Sequence, residues 1–123
     1  MTSASNQSRY QVRFDWGVSG ADAIAAGAHV IVWVDALPGG AGDPLEIAHD
    51  AAIVTGSIGS RAAVAQWILE RQVELGDRVF VAVVAAGSDD GRFCVEDLVA
   101  AGAVIDALAE VGLDYTSPEA AAA

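Results

Sequence analysis

No lysine occurs in this chain. All 6 basic residues are arginines, and they face 17 carboxylates for a formal net charge of −11. That balance repels polyanions and argues against recognising nucleic acid or an anionic lipid surface through a basic face. Cysteine is nearly absent as well. Cys94 stands alone, so no internal disulfide can form, which agrees with a reducing compartment and a cytoplasmic location. The apolar runs around residues 28–34 and 79–86 are far shorter than the ~20 residues that cross a bilayer, so no membrane segment is expected. Residues 1–9 carry only Arg9 and no apolar stretch, which predicts a flexible N-terminus and no signal peptide.

Several fingerprints of chemistry are missing too. There is no GxGxxG, no Lys-Ser/Thr ending to a phosphate loop and no nucleophile elbow. His29 and His49 share no ligand spacing with each other or with Cys94, which argues against a zinc site and against Ser-His-Asp catalysis.

What is present is apolar: 54% of the 123 residues, enough for a single domain over residues 10–123. Four runs read as strands, at residues 10–15, 29–35, 51–55 and 79–86. The second and fourth are nearly continuous in β-branched and aromatic residues, as expected of strands covered on both faces.

Helices are expected between them. One covers residues 20–26, with Ser19 as cap and Gly27 as stop. A short one runs from Asp43-Pro44 to His49. A longer one covers residues 61–75, capped by Ser60 and closed by Gly76, with Val64, Trp67, Ile68 and Leu75 inward. The last covers residues 95–111, with Val95, Leu98, Val99, Ile105 and Leu108 inward, and a helical fragment or tail follows Pro118. This alternation predicts a three-layer α/β/α fold around a mostly parallel sheet of about four strands.

In parallel sheets, ligands bind beyond the carboxyl ends of the strands. Those ends carry Asp15, Asp35, Gly56-Ser57 and Gly87-Ser88-Asp89-Asp90. Asp35 closes the apolar run VIVWV and offers the hard oxygen that Mg²⁺ prefers, although the same position equally suits a turn cap before Pro38-Gly39-Gly40. Gly56-Ser57-Ile58-Gly59-Ser60 leads directly into a helix. Its small residues and the helix N-terminus suit an anion, and Arg61 adds a guanidinium fork. Ser60 as a simple cap explains the same pattern. Glu96 and Asp97 open the last helix, where acids complement the helix dipole whatever their function.

Two blocks resemble a known family. QVRFDWG (residues 11–17) followed by HVIVWVDAL (residues 29–37) is similar to the opening of actinobacterial 2-phosphosulfolactate phosphatases of the ComB type. AIVTGSIGSRAAVAQWI (residues 52–68) and VAVVAAGSDDGRFCVEDLVAAGAVIDAL (residues 81–108) resemble its strand–helix pair and its AG…F..ED…AGA signature. The resemblance implies a Mg²⁺-dependent hydrolase that releases phosphate from a small anionic phosphoester, 2-phosphosulfolactate. By position it implies catalytic roles for Asp35, Glu96 and Asp97, with Asp35 and Glu96 on the metal, and phosphate contacts from Gly56, Ser57, Ser60 and Arg61.

The chain departs from the family pattern after Leu37. It lacks a central segment with a Ser-Pro-Asn-Gly-Thr turn and stops near Ser117-Pro118-Glu119, where members continue. A catalytically inactive remnant, serving as a binding or oligomerisation scaffold, is therefore the alternative. Apolar edges left uncovered by the missing segments predict a homo-oligomer.

Overall fold

A computed structural model describes residues 7, 9–35, 51–87 and 95–122. The short helix expected from Asp43 to His49, together with Ser88, Asp89, Asp90 and Cys94, lies outside the described residues. The elements are β1 (Val12–Trp16), α1 (Gly17–Ile24), β2 (Val30–Val34), β3 (Ala52–Gly56), α2 (Arg61–Leu75), β4 (Val81–Ala85), α3 (Val95–Glu110) and α4 (Pro118–Ala122). The strands form one sheet in the order β1-β4-β2-β3, and every pairing is parallel. The fold is the three-layer α/β arrangement that the alternation of elements predicts.

Side-chain alternation divides the core into two layers. Val12 and Phe14 of β1, Val30, Val32 and Val34 of β2, and Val81, Val83 and Ala85 of β4 face α2, α3 and α4. Ile31, Trp33, Ala82 and Val84 face α1 through Ala21, Ile24 and Ala25. Every residue of β2 and β4 is buried, which is why neither strand shows polar alternation in sequence. β3, at the edge, is half exposed. Two of the crossovers, β1 to β2 through α1 and β3 to β4 through α2, run in opposite directions along the sheet and on opposite faces, as a common hand requires.

The helices differ from the sequence expectation in instructive ways. α1 starts at Gly17, not after Ser19; Trp16 is its cap residue and no side chain caps it. In α2, Val64, Ala65 and Ile68 are buried as a stripe, but Leu75 is 48% exposed and Trp67 only partly covered. In α3 the inward stripe is Asp97, Ala100, Ala101, Val104, Ile105, Ala107 and Leu108, whereas Val95 and Val99 are each 57% exposed. Large apolar side chains mark the wrong face at the start of α3 because the helix packs through alanines, which allow close approach at little side-chain entropy cost.

Two polar groups complete the sheet. Arg13 points from β1 to the α1 side and is 2% exposed. Its Nη1 donates to the carbonyls of Ile24 (2.9 Å) and Ala26 (2.7 Å), and its Nε to Tyr10 (3.0 Å). A buried cation thus satisfies the orphan carbonyls at the C-terminus of α1, where the helix dipole also favours positive charge.

Gln7 falls within the stretch expected to be flexible, yet it is buried. Its amide donates to the Phe14 carbonyl (3.1 Å) and accepts from the Phe14 N–H (3.0 Å). It therefore pairs with the outer edge of β1 as a neighbouring strand would. Ser117 donates to the same Gln7 oxygen (2.8 Å), and the backbone of residues 115–117 brackets Val12 with two further bonds. Among the described residues, no helix is long and apolar enough to cross a membrane.

Candidate active site

The rim at the carboxyl ends of the strands is set by register. Val34 pairs with Gly56 on one side and with Ala85 on the other, and Ala85 pairs with Trp16. The next residues along, Gly17, Asp35, Ser57 and Ala86, therefore leave the sheet side by side, with neighbouring backbones roughly 5 Å apart. Asp15 does not belong to this row. It lies within β1 opposite Val84, and its Oδ1 accepts the Trp16 N–H at 2.8 Å. A Cβ on Gly20 would sit 2.9 Å from its carboxyl carbon, so Asp15 is packed against α1.

Asp35 follows the central strand β2 and is half-buried, with Oδ1 shielded from solvent. Gly56, on the adjacent strand, is there for space: a Cβ would stand 2.7 Å from Cγ1 of Val32. After it comes a closed polar turn. The Ser57 N–H donates to Ser60 Oγ (3.0 Å), the Ser60 N–H donates to Ser57 Oγ (3.1 Å), and the two hydroxyls are 3.0 Å apart.

Ser60 is the cap residue of α2, as expected, but no side-chain capping bond is made, because its hydroxyl is turned back to Ser57. The first intrahelical bond runs from the Val64 N–H to the Ser60 carbonyl. The amides of Arg61, Ala62 and Ala63 consequently lie ahead of the helical ladder, at the positive end of the dipole. Arg61 donates through Nη1 to the Ile58 carbonyl, and its remaining donors are at the exposed surface.

The acidic pair at the start of α3 divides into two different environments. Glu96 is exposed. Asp97 is 1% exposed and heads the buried stripe of α3, and its Oδ2 accepts the Gly87 N–H at 2.8 Å. Gly87 has φ +82°, a conformation that a side chain would strain. The charge-assisted bond thus ties the first turn of α3 to the end of β4, and Glu96 is carried to the same rim.

The Gly87–Asp97 link joins residues that no motif in the sequence pairs. Its signal in the sequence is a carboxylate at the head of the inward stripe 97, 100, 101, 104, 105 and 108. Among the described residues, no group of three or more His, Cys, Asp or Glu side chains is placed to hold a metal ion.

The rim thus combines an uncapped helix N-terminus, a serine turn, an arginine and a carboxylate. Donors of this kind are chemically suited to a small anion, and a carboxylate to a hard cation. A family model described as 2-phosphosulpholactate phosphatase matches residues 44–123, which takes in Gly56, Ser57, Ser60, Arg61, Glu96 and Asp97 but begins after Asp35. No curated protein and no solved structure matches the chain.

Proposed function

The chain belongs to the 2-phosphosulpholactate phosphatase family, and from that premise we propose that it hydrolyses 2-phosphosulfolactate to sulfolactate and phosphate with the help of Mg²⁺. One observation carries the reading. The parallel pairing of Val34 with Gly56 sets a carboxylate on one strand beside the serine turn and uncapped helix of the next. A phosphomonoester carrying a divalent cation needs both kinds of partner at once.

The donors present suit Mg²⁺, which takes oxygen ligands, retains water and commonly uses only one or two carboxylates besides the substrate phosphate. Asp35 would hold it, with Glu96 as the second carboxylate of the rim. When bound, the ion would offset phosphate charge that a chain of net charge −11 otherwise repels. Ser57, Ser60 and the first amides of α2 bind the phosphoryl oxygens, for which the two hydroxyls must exchange their mutual bond for the ligand. Arg61 takes a second oxygen, from phosphate or sulfonate. Water forms the new bond to phosphorus as the ester P–O bond breaks, and the departing ester oxygen takes a proton. Asp97 acts as a positioning residue through Gly87. A cytoplasmic setting fits the lone cysteine.

The same reading includes self-association. Among the described residues β3 pairs with β2 alone, and a second copy can extend that edge. A clean monomer by light scattering at high protein concentration overturns this element.

A second reading, an inactive scaffold, draws on the matched stretch beginning after Asp35 and on the absence of a three-ligand cluster among the described residues. Phosphate release from 2-phosphosulfolactate separates the two. The phosphatase reading expects release that EDTA abolishes and that Asp35→Asn lowers by at least about 100-fold. No release from folded protein, with a melting temperature indifferent to Mg²⁺, leaves the scaffold.

A further inference from the structure

The other end of the sheet, where the strands begin and α2 and α3 end, holds a cavity of about 510 Å³ lined by Gln11, Gln72, Asp77, Arg78, Asp114 and Tyr115. The phosphatase reading makes no use of it. Its side chains are unevenly satisfied. Arg78 lies over the Tyr115 ring, 5.8 Å from the centroid, and its guanidinium makes no hydrogen bond or ion pair among the described residues, in a chain with 17 carboxylates.

Gln11 is 5% exposed. Its Nε2 donates to Gln72 Oε1 (2.8 Å), which also accepts the Val79 N–H (3.1 Å). That leaves Gln11 Oε1 on the cavity wall with no protein donor among the described residues. That oxygen has both lone pairs open to a donor, from water or from a ligand.

The field in the cavity has two signs. α2 closes at Gly76 and α3 just before Gly112, and both glycines border the cavity. Two helix C-termini therefore bring partial negative charge and spare carbonyls. The carboxylates of Asp77 and Asp114 add to it, Asp77 already accepting the Arg78 backbone N–H (2.7 Å). A simple anion is repelled by these groups, and a simple cation by Arg78. A molecule with both charges close together satisfies each.

We propose that this cavity binds a small zwitterion of the α-amino-acid class, its carboxylate on the Arg78 guanidinium and its ammonium among Asp114, Gln11 Oε1 and the helix-end carbonyls. The volume leaves room for bridging water beside such a ligand.

The test is a titration of the folded chain with each of the common α-amino acids, followed by NMR through the side-chain amide signals of Gln11 and Gln72. At least one amino acid gives a saturable shift of the Gln11 amide. Acetate and methylammonium, which each carry half of the ligand, bind at least about tenfold more weakly, as do the variants Arg78→Gln and Asp114→Asn. Arg78 and Asp114 are both exposed, so the variants keep the fold, and an unchanged melting curve without ligand checks this. The proposal is overturned if no amino acid moves the Gln11 signal, if acetate or methylammonium binds as well as the zwitterion, or if binding survives Arg78→Gln. Either result leaves the phosphatase reading as it stands, because that reading rests on the opposite rim.

Discussion

Arg13 heads the fully buried side chains by size, and its role is to end a helix. Replacing it by Met fills similar space but strands the carbonyls of Tyr10, Ile24 and Ala26, so urea unfolding is expected to show a loss of about 2–4 kcal/mol. Burial pushes the Arg13 guanidinium below its ordinary range. A base with a lowered folded pKa opposes folding while both states are charged, and that cost is relieved only as pH rises toward the arginine range. Stability is therefore expected to show no Arg13 step between about pH 5 and 9.

Asp97 gives a sharper contrast at the same scale. Asp97→Ala removes the acceptor for Gly87 and is expected to cost about 1–3 kcal/mol and most of the phosphate-release activity. Asp97→Asn keeps an acceptor oxygen and is expected to retain activity within about tenfold, as a positioning residue should and a metal ligand should not. Steady-state kinetics on the two variants, beside their melting temperatures, decides between those roles.

Among the elements, the turn between β3 and α2 is the one most open to a direct test. Ser60 forgoes its capping bond in favour of Ser57, so Ser60→Ala loosens the turn and removes one donor to phosphate. KM for the phosphoester is expected to rise about tenfold with a smaller change in kcat, while stability moves by about 1 kcal/mol or less, because no cap is lost. Much of the element order was legible in sequence. The β-branched runs of β2 and β4 announced buried parallel strands, Gly76 marked the end of α2, and the convergence of Asp35 with Gly56-Ser57 follows once all strands are parallel. Elements whose surfaces are built from alanine and glycine were less legible. The start of α1 at Gly17 carries no capping side chain, and the inward face of α3 is drawn by Ala100, Ala101 and Ala107 rather than by Val95 and Val99. The division of Glu96 from Asp97 into exposed and buried roles depends on that rotation of the helix, which large apolar residues misreport.

For the whole molecule, charge and topology have separate consequences. A net charge of −11 slows the approach of a multiply charged anion, and screening relieves it. Raising ionic strength from about 0.01 M to about 0.15 M is expected to increase kcat/KM for the phosphoester, a trend that a net attractive field would reverse. Topology acts on the newly made chain. β4 lies between β1 and β2 in the sheet yet is the last of the described strands to be made, so the first two strands have no common neighbour until residues 81–85 arrive. The sheet therefore stays open between β1 and β2 until residues 81–85 have been made, and chains halted before residue 81 are expected to be more readily degraded by protease than those reaching α3. A late central strand leaves the apolar runs of β1 and β2 without the neighbour that covers their facing edges for as long as residues 81–85 are unmade.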